Sequence, residues 1–338
     1  MTNGIRNISP DVLLDCDTAA RNRPYCGPCG HFETKDSKRI RYIRDICFDR
    51  PATETFDEFL IVHLKYILGK SWGRSQVNLP RKQQHVIIQW LFDYCEETRR
   101  HIDDESSPNT PKSAKPTGSV HSLLSLADDL YRLSLVGQLS DTLLERLRKR
   151  NSFQGVKYEI ALAASFVRAG FDIQWINEQG KHAEFTATIP TTNDEIIVEA
   201  KSRRRPGVLH ENGTMPDLDK ITADVNNLYC NALKKSTHGK PFLISIDVNL
   251  PHNSNYLSDI MKLLDRHSEP TQSSPAKEFA LLCTNFNWHY DESGLAQAPQ
   301  FVYTFPQWCV AKPNNKDAYI AILQAYNHYG KYAEGVYE

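Results

Sequence analysis

Apolar positions along the chain change their period near residue 153, and that change organises the molecule. Before it, apolar residues recur at helical spacing. Phe56, Phe59, Leu60, Val62, His63 and Tyr66 form one stripe that ends near Gly69, and Val86, Ile87, Trp90, Leu91 and Tyr94 form a second that runs on toward His101 after Pro80. Residues 121–135 and 141–150 predict two short helices split by Gly137, and residues 153–169 a strongly amphipathic one stopped by Gly170. From there short apolar runs take over. Strands are predicted over 171–176, 183–189 and 195–200, the last reading EIIVEA and apolar enough to be buried on both faces. A helix follows over 217–235, closed by His238-Gly239, then a strand over 242–248. A helical stretch at 257–264, strands at 279–283 and 301–305, and a helix at 317–326 complete the pattern. The order from residue 153 is α-β-β-β-α-β with appended elements, which predicts an α/β fold with a mixed sheet flanked by helices.

Residues 103–119, DDESSPNTPKSAKPTGS, interrupt the periodicity with Pro, Ser and charge. They predict a flexible linker between a mainly helical region, 1–102, and a second domain, 120–338, whose core spans 153–248. With 338 residues, 40% hydrophobic and 24% charged, the chain has globular composition. Its 40 Lys and Arg balance 41 Asp and Glu, so a globally basic nucleic-acid binder is excluded while local basic patches are not. No basic start followed by an apolar run suggests a secretion signal, and no apolar run is long enough to span a membrane. The expected compartment is the cytoplasm, where the eight cysteines would be reduced.

Candidate chemistry sits at the end of the EIIVEA strand. Glu199 and Lys201 are two residues apart, so they share a strand face. A buried strand that brings a carboxylate and an ammonium together needs a compensating partner, and a divalent cation held by oxygen ligands is one. Glu-x-Lys alone is a weak signal, since a structural ion pair at a strand end has the same spacing. Its neighbours strengthen it. Glu184 is the acid in the middle of the preceding strand, and Glu159 lies among Tyr158, Ile160, Ala161 and Leu162 on the helix before it. Three carboxylates and one lysine can therefore converge from a helix and two adjacent strands.

The segments GVKYEIALAASFVRAGF, HAEFTATI and EIIVEAKSRRR resemble the PD-(D/E)XK nuclease superfamily, the restriction-endonuclease-like fold. The resemblance covers about residues 153–248 and implies a metal-dependent phosphodiesterase acting on nucleic acid, most readily DNA. It implies Glu159 as the helix acid, Glu184 as the strand-two acid, and Glu199 with Lys201 as the (D/E)XK pair. Glu184 and Glu199, with the Ala200 carbonyl, would hold Mg²⁺ or Mn²⁺. One departure stands out: the strand-two acid is usually Asp after Pro, whereas here Ala183-Glu184 occupies that place. A catalytically degenerate nucleic-acid-binding or scaffolding protein with the same fold is therefore the alternative.

The basic residues have two readings. Arg203, Arg204 and Arg205 follow Lys201 directly and can contact phosphate backbone, with Arg203 favoured because it shares the Glu199 face; a solvated charged face is the alternative. Arg146, Arg148, Lys149 and Arg150, just before the core helix, are open to the same two readings. Cys26-Gly27-Pro28-Cys29-Gly30 suggests a zinc knuckle with Cys26 and Cys29 as ligands and Cys16, His31 and Cys47 as candidates for the rest; free thiols are the competing reading. Oligomeric state is left open between a monomer, a homodimer and a complex with a protein partner.

Overall fold

The computed structural model describes residues 5–7, 27, 28, 30–102, 116–176, 182–204, 217–235, 239–250, 259–260, 279–286, 300–303 and 313–327. These form an α/β fold with two sheets and eight α-helices among the described residues.

The N-terminal region carries its expected helices and, before them, a sheet that the helical stripes did not predict. Strands β1 (Ile5–Asn7), β2 (His31–Lys35), β3 (Lys38–Ile43) and β4 (Ile46–Pro51) form an antiparallel sheet of order β1-β4-β3-β2. Two-residue turns connect its hairpins. Lys35 pairs with Lys38 across Asp36 and Ser37, both at positive φ (51° and 59°), the backbone that matches strand twist in a tight hairpin. Ile43 pairs with Ile46 around Arg44, also at positive φ.

Helices follow in the expected order. Helix α1 (Phe56–Leu68) opens with a capping box: Thr55 accepts from the Glu58 N–H and Glu58 accepts from the Thr55 N–H. Gly69, at φ 82°, turns the chain into α2 (Lys70–Val77), a helix too polar to be read from apolar spacing. After Pro80 comes a 3₁₀ turn (Arg81–Gln83), so α3 (Val86–Ile102) begins later than the proline suggested. Helix α4 (Gly118–Leu135) starts inside the expected linker, because the Thr117 hydroxyl caps it by accepting from the Val120 N–H. Helices α5 (Asp141–Leu147) and α6 (Phe153–Arg168) complete the helical layer.

The second sheet has order β10-β9-β8-β7-β6-β5. Strands β5 (Asp172–Trp175), β6 (Phe185–Thr188) and β7 (Glu195–Ser202) form an antiparallel meander. Helix α7 (Leu218–Leu233) then carries the chain across to β8 (Phe242–Asp247), which lies parallel to β7. Strand β9 (Phe279–Asn285) is parallel to β8, β10 (Gln300–Tyr303) is antiparallel to β9, and helix α8 (Pro313–Asn327) follows. The α-β-β-β-α-β order expected from residue 153 is present. Of the stretch 257–264, residues 259 and 260 are helical and the remainder lies outside the described residues.

Side chains from α6 and α7 divide the sheet into two faces. Val198, Ala200, Leu243 and Leu282 belong to the core that contains α6; Ile197, Ile244, Ile246 and Leu281 belong to the cluster of Ile221, Val225 and Tyr229 from α7. The α6 core does not stop at the expected domain boundary. It runs without a break from Phe48, Phe59 and Trp90 through Leu123 to Phe153, Phe166 and Phe185, so the N-terminal region and the large sheet share one core. Arg168, at the end of α6, reinforces the join: its Nη2 donates to Asp128 Oδ2 (2.7 Å) and Asp129 Oδ1 (2.5 Å) on α4. Gly27 docks there too, donating its N–H to the Arg168 carbonyl; a Cβ at residue 27 would lie 2.2 Å from the Val167 carbonyl oxygen.

Trp90 is fully buried where the two regions meet. Trp90→Ala should destabilise the protein by about 3–5 kcal/mol. Because the core is shared, urea unfolding followed by circular dichroism and by fluorescence should shift as a single transition. A shift confined to one of two separate transitions would show that the N-terminal region folds alone.

Candidate active site at the carboxyl end of strand β7

Strand β7 is paired on both sides, antiparallel to β6 and parallel to β8, so its register is fixed twice. Alternation then assigns its side chains. Val198 and Ala200 point to α6, while Ile197 points to α7, as do Glu199 and Lys201 by parity. Lys235, just beyond the end of α7, lies 3.7 Å from Glu199 Oε1, in agreement with that assignment.

Glu199 is fully buried, and its Oε1 forms an ion pair with Lys201. Its Oε2 is buried with no hydrogen-bond partner among the described residues. The Lys201 ammonium also lies 3.9 Å from Glu184 Oε1, so it stands between the two carboxylates. Glu184 immediately precedes β6 and is held there by backbone bonds in both directions: its N–H donates to the Val198 carbonyl, and its carbonyl accepts from the Ile176 N–H. Glu159 reaches the same region from α6. Its Oε1 accepts from Arg146 Nη2 at 2.7 Å, and its Oε2 is buried without a hydrogen-bond partner among the described residues. Lys235 donates to the His182 carbonyl at 2.7 Å, so it tethers the chain leading into Glu184 as well as facing Glu199.

These charges act on one another. Burial pushes the Glu184 carboxyl up to about 7, and repulsion from Glu159 and Glu199 adds to that, against the opposing pull of Lys201 and Arg146. Burial likewise raises Glu199, opposed by the charges of Lys201 and Lys235. The acids are thus desolvated, mutually repelling and incompletely hydrogen-bonded. Even so, among the described residues no three or more His, Cys, Asp or Glu side chains are gathered closely enough to hold a metal ion.

Glu159, Glu184, Glu199 and Lys201, singled out from sequence, are therefore brought into one electrostatic cluster. The basic run fares differently. Arg203 is 6% exposed and its Nε donates to Asp224 Oδ2 on α7 at 3.2 Å, so the expected phosphate contact is instead a structural ion pair between a buried arginine and a partly exposed aspartate. Arg204 is exposed, and Arg205 lies outside the described residues. Upstream, Arg146 holds Glu159, Arg148 donates to the Ile67 carbonyl, and Arg150 to the Lys82 and Gln83 carbonyls; these three arginines brace the fold. Cys16, Cys26 and Cys29, named for zinc, lie outside the described residues, while Cys47 on β4 is half-buried and in no disulfide. Sequence reasoning missed Lys235. Its signal was faint: a lysine just past the helix that crosses over to β8.

Comparison with protein-family models, with curated proteins and with solved structures finds no match to this chain.

The raised Glu184 carboxyl has a consequence for stability. Its ordinary value is 4.5 and its folded value about 7, so between them the folded chain holds a proton that the unfolded chain has released. Stability of the metal-free protein should therefore fall as pH rises through that window. Urea unfolding across about pH 5 to 8 should show a shallower fall for Glu184→Gln than for wild type. Identical slopes would mean that the Glu184 carboxyl is not raised in the folded protein.

Proposed function

We propose that this chain is a divalent-cation-dependent nuclease with a restriction-endonuclease-like core, acting on DNA. The observation that carries the reading is the meeting of Glu159, Glu184 and Glu199 around Lys201 at the end of a strand buried on both sides. Ordinary structural ion pairs neutralise themselves. Here Glu199 Oε2 and Glu159 Oε2 are buried without hydrogen bonds among the described residues, and Glu184 retains its proton to near neutral pH. An all-oxygen donor set left short of positive charge fits a hard divalent cation such as Mg²⁺ or Mn²⁺.

Glu184 and Glu199 would hold that cation, together with the Ala200 carbonyl. When bound, it supplies charge that polarises the scissile phosphate and lowers the pKa of the attacking water. The chain's own groups do the rest. Lys201 is placed to donate a hydrogen bond that orients the water and to offset charge building on the phosphate. Lys235 faces the same Glu199 oxygen as Lys201 and, through the His182 carbonyl, holds the approach to Glu184. Arg146 fixes one oxygen of Glu159 and leaves the other without a hydrogen bond among the described residues. Exposed Arg204 supports backbone binding next to the reacting groups.

A second reading, a catalytically degenerate nucleic-acid binder, is favoured by the lack of any ready-made cluster of three metal-ligating side chains among the described residues. Cleavage assays separate the two. Purified protein should cut plasmid or linear duplex DNA in Mg²⁺ and not in EDTA. Glu199→Ala and Lys201→Ala should each lower the rate by about a hundredfold or more while circular dichroism stays unchanged. Both variants should still bind duplex in Ca²⁺. Wild-type protein that binds DNA equally with and without cations, and never cuts it, would establish the degenerate reading.

A further inference from the structure

On the opposite face of β7 lies a small pocket that the nuclease reading does not use. Its polar lining comes from Gln154, Lys157 and Tyr158 on α6, from Ser202 at the end of β7, and from Asp247 and Asn249 at the end of β8, with Ala161 and Phe286 supplying an apolar wall. Parity places Ser202 on the α6 face together with Val198 and Ala200. Asp247 lies on that face with Leu243 and Ser245, as the 2.6 Å hydrogen bond between Tyr158 and Ser245 shows. The carboxyl ends of adjacent parallel strands, facing a helix amino terminus, are where open α/β sheets hold ligands.

Lys157 is the unexplained group. Its side chain is buried, at 8% exposure, yet it forms no hydrogen bond or ion pair among the described residues. Burying an ammonium in this way is costly unless something answers the charge. Two acids act on it, Asp129 and then Asp247, and both are engaged elsewhere: Asp129 Oδ1 accepts from Arg168 (2.5 Å), and Asp247 Oδ1 accepts from the Phe286 N–H (3.0 Å) and from Thr284 Oγ1 (3.2 Å). The first turn of α6 adds to the deficit: Ser152 precedes it with no side-chain cap, so the amino-terminal N–H groups lack a hydroxyl acceptor there. A helix amino terminus beside a buried ammonium favours negative charge.

Size narrows the ligand. The cavity is ≈ 20 Å³, room for about one oxygen-sized atom and far too small for a nucleobase. We infer that this pocket receives an oxygen of a phosphate group, with Lys157 as its counter-charge and Gln154 and Ser202 as its hydrogen-bonding walls. A terminal phosphate can present such an oxygen from the pocket mouth while the remainder of the ligand stays outside. That phosphate could belong to a small metabolite or to the end of a nucleic acid strand. The inference stands apart from the catalytic reading, since it involves the other face of the sheet and no divalent cation.

The test uses full-length protein in EDTA, so that no phosphate can bind through a metal. Calorimetric titration would be run with inorganic phosphate, with a nucleoside monophosphate, and with one oligonucleotide bearing either a 5′-phosphate or a 5′-hydroxyl, against chloride at matched ionic strength. Wild type should bind inorganic phosphate, and Lys157→Met should weaken it about ten- to a hundredfold. The same variant should unfold at a higher temperature than wild type without phosphate, because a buried charge lacking an ion pair is gone. Gln154→Ala, at a half-buried position, should weaken binding to a lesser degree and serves if Lys157→Met does not fold. Preference for the 5′-phosphorylated strand over both the monophosphate and the 5′-hydroxyl strand would identify a nucleic acid end; equal binding of monophosphate and phosphorylated strand would identify a small-molecule site. No phosphate binding by wild type, or equal affinity in wild type and Lys157→Met, would overturn the inference.

Discussion

Burial of α6 on nearly every side is the constraint on which the rest of the structure depends. A helix packed against a sheet on one flank and other helices on the remainder has to be apolar all round, and residues 158–167 of α6 are almost entirely so. Its small residues Ala161, Ala163 and Ala164 are fully or nearly fully buried, so neighbours can approach its backbone closely. Any polar group on such a helix must be answered locally. Arg168 is answered by Asp128 and Asp129, Tyr158 by Ser245 and Thr284, and one oxygen of Glu159 by Arg146. Lys157 faces the charges of Asp129 and Asp247 without an ion pair among the described residues, and the other Glu159 oxygen has no hydrogen bond there. These two groups lie beside the two sites proposed for this chain, and this is the pattern expected where local consistency gives way to function.

The same accounting separates structural arginines from functional ones. Position along the chain made Arg146, Arg148, Arg150 and Arg203 look like phosphate contacts. Each is instead tied to a carbonyl or carboxylate within the fold. Guanidinium groups engaged in this way hold elements together, and where one is buried, as Arg203 is, removing its partner leaves an uncompensated charge. Arg41 of β3 repeats the theme: it is buried, pairs with Glu54 and lies 4.4 Å from the Phe59 ring centroid. Basic charge free to meet a ligand is correspondingly scarcer than the composition suggests.

Legibility from sequence followed burial. Strands β5 to β8 and helices α6 and α7 were readable because their apolar runs, short for the strands and long for the helices, end at glycine or polar turns. The shared strand face of Glu199 and Lys201 was readable for the same reason, since period two is rigid. The small N-terminal sheet was not, because β2 and β3 are dominated by Lys, Arg, Glu and Thr, and the burial of Arg41 depends on Glu54, thirteen residues further along. Its turns carried a usable hint in Asp36-Ser37, but no apolar alternation flanked it. The supposed separate domain was equally beyond local reading. Helical stripes on α1 and α3 announce that something is buried, and nothing in their spacing says that the partners are α4 and α6.

Strand β7 makes both proposed sites depend on one register. Its odd-numbered residues Glu199 and Lys201 face α7, and its even-numbered residue Ser202 faces α6. A slip by one residue would exchange the faces, sending the acid and the lysine into the core beside α6 and emptying both sites together. The sheet guards against this from both sides. Val198 is opposite Phe185 in the antiparallel ladder and beside Leu243 in the parallel one, so a slip would break two independent sets of backbone hydrogen bonds. Beyond the end of the strand, the Arg203 N–H donates to the Asp247 carbonyl and the Arg203 carbonyl accepts from Asn249, which carries the alignment into the loop. The Arg203–Asp224 pair then fastens that loop to α7. Arg203, which looked like a ligand contact, is better understood as the clamp that keeps Glu199, Lys201 and Ser202 each on its own face.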